Sequence, residues 1–400
     1  VPERYDVIVV GGGPAGLAAA KTAAAEGGKV LLLELQAQIG GQTQSAVWAP
    51  SDIAAKFKDA TVAKVSEVKL HSPHQYLAAE GDFGAILDRR WFDKLLAAEA
   101  VEVGVEIWVS CPVKELLQSD GVVKGVYTEA GPWAERLECE IVIDASGARG
   151  QWSSLLLRKV LGRDWDPEQL TLSNEYLMAN VLPNPSLELY FTSYFAPAGH
   201  AWIYPFDRRF AMVGIRGVRI HPDAALDEFI GRRTIPRLER AIPVAAYRGQ
   251  LPLESALDST CSDGILAVGS AAGQVYAPSG EGLRYALRAG ELAGKIAIDA
   301  ITEGDVSKRA LAEYDRRWMT EFGNELRVGK LLHGALRTSP DQKMDALFEV
   351  LAADAKLARA FVDVFRATGF PNSLNVLLGR DEIKRVFGPT AKQVLELYKL

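Results

Sequence analysis

Tyr5-Asp-Val-Ile-Val-Val10 runs into Gly11-Gly-Gly-Pro-Ala-Gly16, and that into Leu17-Ala-Ala-Ala-Lys-Thr-Ala-Ala-Ala-Glu26. The first hexapeptide is short, apolar and β-branched, as a strand buried on both faces must be. The last stretch is alanine-rich and helical, and Gly27-Gly28 stops it. Val30-Leu-Leu-Leu33 is then a second buried strand, ending at Glu34. Strand, glycine turn, helix and strand make a βαβ unit with Gly-x-Gly-x-x-Gly at its first turn. Gly11 permits the tight turn, Gly13 lets the backbone approach a pyrophosphate, and Gly16 lets helix and strand pack closely. Pro14 suits the first helical turn, where its missing N–H costs little. The free N–H groups of that turn face the phosphates. Glu34, 23 positions after Gly11, is placed to accept from a ribose hydroxyl.

Working outward, Arg90 to Gly104 reads as a helix and Val105-Glu-Ile-Trp-Val109 as a strand. Gly121 to Thr128 and Leu137 to Ile143 read as a hairpin and a returning strand. From about Thr171 to Gly217 the pattern turns aromatic and alternating. Leu187 to Phe195, His200-Ala-Trp-Ile-Tyr204 and Phe210-Ala-Met-Val-Gly-Ile215 predict antiparallel strands, with turns at Pro197-Ala-Gly199 and Asp207-Arg208. Ile265-Leu-Ala-Val268 returns to the buried-strand type. Glu281 to Thr302 and Ser307 to Phe322 are long helices, and amphipathic pieces follow to Leu400. The expected fold is α/β: a split Rossmann-type domain (1–165 and 255–305), an inserted antiparallel β-sheet domain (166–254) and a C-terminal helical region (306–400).

The 400 residues exceed one ordinary core, in keeping with that division. The formal net charge of −6 argues against a nucleic-acid binder working through a basic surface. Cys111, Cys139 and Cys261 are odd in number and far apart, so they build no disulfide framework, metal site or iron–sulfur spacing. His71 and His74 flank Pro73 in a polar loop and are not read as ligands, so no metal is expected. A reducing, cytoplasmic setting fits. No apolar run is long enough to span a bilayer. The chain opens on Val1-Pro2 without Met, so a trimmed start is expected.

The βαβ unit alone does not separate NAD from FAD. Three later segments resemble flavoprotein hydroxylases and their relatives. Ile86-Leu-Asp-Arg-Arg-Trp-Phe-Asp93 is similar to their Arg-containing helix start, which implies that Arg89 reaches the flavin side. Ile141-Val-Ile-Asp-Ala-Ser-Gly147 resembles the segment those enzymes place near the dinucleotide. Gly264-Ile-Leu-Ala-Val-Gly-Ser-Ala-Ala-Gly273, with Pro278 and Gly280-Glu-Gly282, resembles their second FAD motif. The resemblance implies FAD as the cofactor. In the first unit its contacts fall on Gly11, Gly13, Pro14, Ala15, Gly16, Glu34, Leu35 and Gln42. Further contacts fall on Arg89, Val113, Ala145, Ser146 and Gly147. The second motif adds Gly269, Ser270, Pro278, Gly280, Glu281, Gly282 and Leu283. The helix opening at Gly280 is expected to stabilise negative charge on the reduced ring system.

Within that superfamily the chain resembles the geranylgeranyl reductases. Ala196-Pro-Ala-Gly-His-Ala-Trp-Ile-Tyr-Pro205 is similar to their Pro-x-x-Tyr-x-Trp-x-Phe-Pro signature, with His200 and Tyr204 in the first and third aromatic places. The implied activity is reduction of isolated double bonds in a prenyl lipid or prenyl diphosphate. Trp202, Tyr204, Tyr194, Phe195 and Trp48 are then the expected substrate wall. Tyr204, His200 and Tyr276 are the alternative proton donors. A transient NADPH or a ferredoxin-like protein would supply electrons. The chain departs from the family twice: Ser270 replaces an aspartate, and Ser45 stands where archaeal members carry the Cys of a Cys-x-x-Gly. An FAD monooxygenase or a flavin-binding electron carrier are the competing readings. The halogenase lysine with Trp-x-Trp-x-Ile-Pro is absent. Leu347, Val350, Leu351 and Ala355 give the helical tail an apolar face, which predicts peripheral membrane contact.

Overall fold

The computed structural model describes residues 4–41, 46–130, 133–150, 153–231, 235–253, 256–337 and 341–398. Strand Arg4–Val10 lies at the centre of the first sheet, and helix Pro14–Ala25 follows it. Its neighbours are parallel: Val30–Leu33 on one side and Trp133–Asp144 on the other. Glu106–Trp108 and Ile265–Ala267 extend the parallel set outward on the two sides. The short strand Cys261–Ser262 closes one edge, and a hairpin of Val113–Ser119 with Val122–Ala130 joins Trp133–Asp144. Chain direction switches sides at Arg4–Val10, so the crevice beyond its carboxyl end is a topological switch point, where such sheets bind ligands. Val10 pairs there with Leu33 and with Asp144, which brings the glycine turn beside Ala145.

The second sheet has seven strands in the order Ile242–Pro252, Leu170–Ala179, Phe210–Gly217, His200–Pro205, Leu187–Tyr190, Glu67–His71 and Tyr76–Glu80. All neighbours are antiparallel except Leu187–Tyr190 with Glu67–His71. The hairpin Glu67–Glu80, which the sequence division leaves with the first domain, therefore completes the second sheet. A small sheet of Ala46–Ala49, Ala85–Asp88 and Thr61–Lys64 lies in the same stretch of chain.

Alternation divides the second sheet's side chains between two cores. Ala201, Ile203, Val213 and Ile215 pack with helix Pro222–Gly231 through Leu226 and Phe229. Trp202, Met212 and Tyr204 point the other way, into a core shared with the C-terminal helices. Those helices run from Asn324–Arg337 to Pro389–Tyr398. Leu347 and Leu351 are fully buried in that core, and Ala355 is exposed. Two of the four residues read as an apolar face for a membrane, Leu347 and Leu351, are thus turned inward, and Val350 is half-buried. No helix among the described residues is long and apolar enough to cross a membrane.

Candidate flavin and substrate site

The glycine turn divides its work between packing and opening. A Cβ on Gly11 would lie 2.3 Å from Ala145 O, and one on Gly16 would lie 1.9 Å from Gly11 O. Strand, helix and the Ala145 segment meet through bare backbone at both places. A Cβ on Gly13 would meet nothing within 4 Å among the described residues. Gly13 is the N-cap of helix Pro14–Ala25, and no side chain caps that helix. Open space before uncapped N–H groups fits a pyrophosphate. Glu34 accepts from Gly12 N at 2.7 Å and from Gln36 N at 2.7 Å. Burial raises its pKa while those two donors oppose the rise. The carboxylate is thereby fixed at the strand end, where a ribose would lie. Leu35, next to it, is 53% exposed. Gln42 and Ser45 lie outside the described residues.

The other segments converge on this turn. Asp144 is fully buried and accepts from Leu156 N at 2.9 Å and from Ser146 N at 3.2 Å, and Ser146 Oγ also donates to it. Ser146 is thus oriented by its own strand end. Val113 is buried beside Val10 and Leu33 in the same core. Gly269 has φ +62°, and a Cβ there would lie 2.9 Å from Ala15 Cβ, so the second motif rests on the first helix. Ser270 follows it, half-buried, in the single turn Gly269–Ala272. The loop from Tyr276 folds tightly: Gly280 N donates to Tyr276 O at 2.9 Å and Tyr276 N to Glu281 O at 2.9 Å. It leads through Gly282 to Leu283, where the long helix Leu283–Glu303 begins. Arg89 is turned onto its own helix. Its Nε and Nη2 lie 2.9 Å from the two oxygens of buried Asp93. That pairing fixes the guanidinium at the start of its helix.

The expected substrate wall is partly assembled. Trp202 and Tyr204 share a face with ring centroids 5.9 Å apart, and Ile203 points to the opposite core. Trp48 joins the same core, donates to Phe83 O at 2.6 Å and carries the Arg366 guanidinium over its ring at 4.0 Å. Tyr194 does not join them. The strand ends at Tyr190, the chain turns, and Tyr194 is 67% exposed. Phe195 is buried, but against Phe229 on the far face of the sheet. Tyr276, one of the three alternative proton donors, donates its hydroxyl to Val364 O at 2.7 Å.

His200 is buried among Phe191, Trp202 and Phe365. Burial and the nearby Arg216 cation hold its pKa well below the ordinary value, so it is neutral. Tyr204 keeps its proton, because burial and then the Glu175 charge push its pKa up.

Two groups that the sequence reading passed over define the rest of the site. Arg216, on strand Phe210–Gly217, and Arg366, after helix Ala355–Phe365, are both buried, and both feel Tyr204. Arg216 is the one charged residue of strand Phe210–Gly217, a signal that the sequence offers. Arg366 carried no such signal. The C-terminal helices also line a narrow apolar cavity. It is lined by Leu332, Phe361, Phe365 and Leu377 and reaches Tyr276 and Pro278. A second space shares Pro278, Leu336 and Phe365 with it, and adds His333, Arg337 and Asp341. Among the described residues no group of three or more His, Cys, Asp or Glu could hold a metal ion.

The chain is similar to known proteins in sequence and in fold. Residues 6–150 match the sequence model of FAD dependent oxidoreductases. The chain is 30% identical over 394 residues to a digeranylgeranylglycerophospholipid reductase of Methanothermobacter thermautotrophicus, with 94% of this chain and 99% of that one covered. It is 34% identical over 330 residues to one from Methanopyrus kandleri, with 80% and 87% covered. The crystal structure of a geranylgeranyl bacteriochlorophyll reductase-like protein from Thermoplasma acidophilum superposes with a TM-score of 0.84 at 24% identity, covering 99% and 100% of the two chains. A flavin-dependent brominase superposes with a TM-score of 0.74 at 16% identity, covering 99% of each, which is likeness of fold alone.

Proposed function

The chain belongs to the geranylgeranyl reductase family of FAD-dependent oxidoreductases, and from that premise we propose that it saturates isolated double bonds in the prenyl chain of a lipid or a diphosphate. The observation that carries the reading is the apolar cavity that ends at Pro278. It is lined by hydrocarbon and aromatic side chains, as a prenyl chain requires. The neighbouring space at Pro278 carries Ser193, His333, Arg337 and Asp341, which suit the polar end of such a substrate.

When bound in its reduced form, FAD supplies the electron pair and one hydrogen to the alkene. The protein's own groups do the rest. Trp202 and Phe365, with the cavity walls, hold the chain and exclude water. An isolated alkene also needs a proton at its second carbon. Tyr204 Oη holds one, and its raised pKa keeps that proton in place until electrons reach the alkene. Neutral His200 supports the aromatic floor. Electrons would reach the flavin from NADPH or a ferredoxin-like donor. Contact with a membrane surface would then rest on the polar mouth at Arg337, not on the buried face of the tail.

The test is anaerobic. The flavin is reduced, and either a geranylgeranyl lipid or oxygen alone is added. Lipid-dependent reoxidation with saturation of the chain is expected. Reoxidation by oxygen with an oxygen atom appearing in the lipid would instead make the protein a monooxygenase. Reoxidation by one-electron acceptors alone would make it an electron carrier.

A further inference from the structure

Arg216 is 3% exposed, and three of its contacts are on the page. Nη2 donates to Ala277 O at 2.9 Å and to Pro278 O at 2.5 Å. Nε lies 3.5 Å from His200 Nδ1. Nη1 is buried with no hydrogen-bond partner among the described residues. None of these partners is a carboxylate. Nη1 is aimed at Gly280, where a Cβ would sit only 2.6 Å from it. A glycine at this position is what lets the guanidinium reach the surface of the loop.

No carboxylate among the described residues hydrogen-bonds or ion-pairs with it. His200 and His333 are neutral, the latter with its pKa lowered to about 4 chiefly by burial. Tyr204 is a protonated phenol. Burial brings Arg216 down to about 10, so it remains a cation at neutral pH. An unpaired buried charge costs several kcal/mol, and an unsatisfied buried donor calls for an explanation.

The other cations at this loop are engaged. Arg284 pairs with Glu325 at 2.8 Å. Arg366 donates to Phe83 O, covers Trp48 and offsets Glu281. Glu281 itself accepts from Arg284 N at 3.0 Å. A carboxylate thus caps the start of the long helix, which reduces what that helix end offers to an anion.

We propose that Arg216 is the fixed positive charge facing the flavin ring system, and that it raises the reduction potential of bound FAD. The proposal rests on FAD occupying the site described above. Reduction by an external two-electron donor, such as a reduced nicotinamide, adds two electrons and one proton to the ring. The product carries one more negative charge than oxidised FAD, and that charge faces Nη1. Oxidised FAD gains nothing comparable, so the reduced form is bound more tightly.

The experiment measures the midpoint potential of the holoprotein by dye equilibration. The variants are Arg216→Met, which removes the charge, and Arg216→Lys, which keeps it. In Arg216→Met the preference for reduced over oxidised flavin should fall tenfold to a hundredfold. For a two-electron couple that is about 30–60 mV lower. Arg216→Lys should recover most of the difference. Retained FAD with an unchanged potential in Arg216→Met overturns the proposal, as does a lysine variant that behaves like methionine. Should the methionine variant fail to fold, the wild type decides. Its reduced flavin should stay anionic on acidification to a pH at which free reduced FAD is protonated. Protonation at the pH of the free cofactor overturns the proposal. A folded wild type that cannot take up FAD defeats the cofactor reading beneath it, a separate result.

Discussion

The two halves of this molecule are joined by opposite means. On the nucleotide side, helix Pro14–Ala25 meets helix Leu283–Glu303 backbone to backbone. A Cβ on Gly290 would lie 2.3 Å from Ala15 O, and one on Gly294 would lie 2.4 Å from Ala19 O. On the substrate side the contacts are between large rings. Phe191 meets His200, Phe348, Phe361 and Phe365, each with centroids 5.5–6.5 Å apart. Backbone contact demands glycine at fixed positions, and glycine leaves a mark in the sequence. Ring packing accepts many residues, and three of these four partners lie more than a hundred positions away.

The sharpest way to break this comparison is to put a side chain at two glycines of the nucleotide side. Gly290→Val should cost more than about 4 kcal/mol, because the clash is with backbone that cannot move aside. Gly13→Val points into open space, so the apoprotein should melt within about 1 kcal/mol of wild type. It should nevertheless purify colourless, because the valine fills the pyrophosphate path. Thermal melts and flavin content separate the two. Equal destabilisation by both would mean that the space at Gly13 is not a ligand cradle.

That pair also marks how far the sequence could be read. The strand, glycine turn, helix and Glu34 were legible because each residue has a local geometric duty. The segment around Ala145, the turn at Gly269 and the shared face of Trp202 and Tyr204 were legible for the same reason. Other features were set by distant partners. Leu187 to Phe195 alternates like a strand, but pairing with His200–Pro205 stops at Tyr190, so Tyr194 turns out to solvent. Glu67–His71 completes the second sheet by pairing with Leu187–Tyr190 across more than a hundred residues. The tail's amphipathic helices announce an apolar face but not what covers it, and Leu347 and Leu351 cover the core. Arg89 fits its motif, and its pairing with Asp93 one turn later shows only in three dimensions. Arg216 is legible as a charge on an apolar strand, while its missing counter-ion is visible only in three dimensions.

Tyr204→Phe sharpens the comparison on the substrate side. The ring is kept, so the packing with Trp202 and the binding of FAD should be preserved. The hydroxyl has no strand or helix to hold together, and its removal takes away only a proton. If Tyr204 is the acid, lipid-driven reoxidation of the flavin should fall about 10²–10⁴-fold, measured by stopped flow with FAD content unchanged. Full activity would pass the role to His200 or to water and leave Tyr204 as a wall.

The smallest effect expected is at Ser270, where the nucleotide side departs from its family. The turn that carries it is pinned from behind. Gly269 N donates to Gln274 Oε1 at 2.8 Å, and Gln274 Nε2 donates to Tyr314 Oη at 3.0 Å. The backbone is therefore set by buried groups other than Ser270, and the side chain can change without moving it. The family resemblance gives aspartate here, to accept from the ribityl hydroxyls. Serine accepts with no charge. Ser270→Asp adds a charged acceptor, worth about 1.5–3 kcal/mol when well aligned. FAD should then bind about tenfold tighter or more, read by titration of the apoprotein. Looser binding would mean that the turn no longer faces the ribityl chain and that Ser270 marks a rebuilt site. Tighter binding would show that the nucleotide side keeps its family geometry and that serine only weakens its hold.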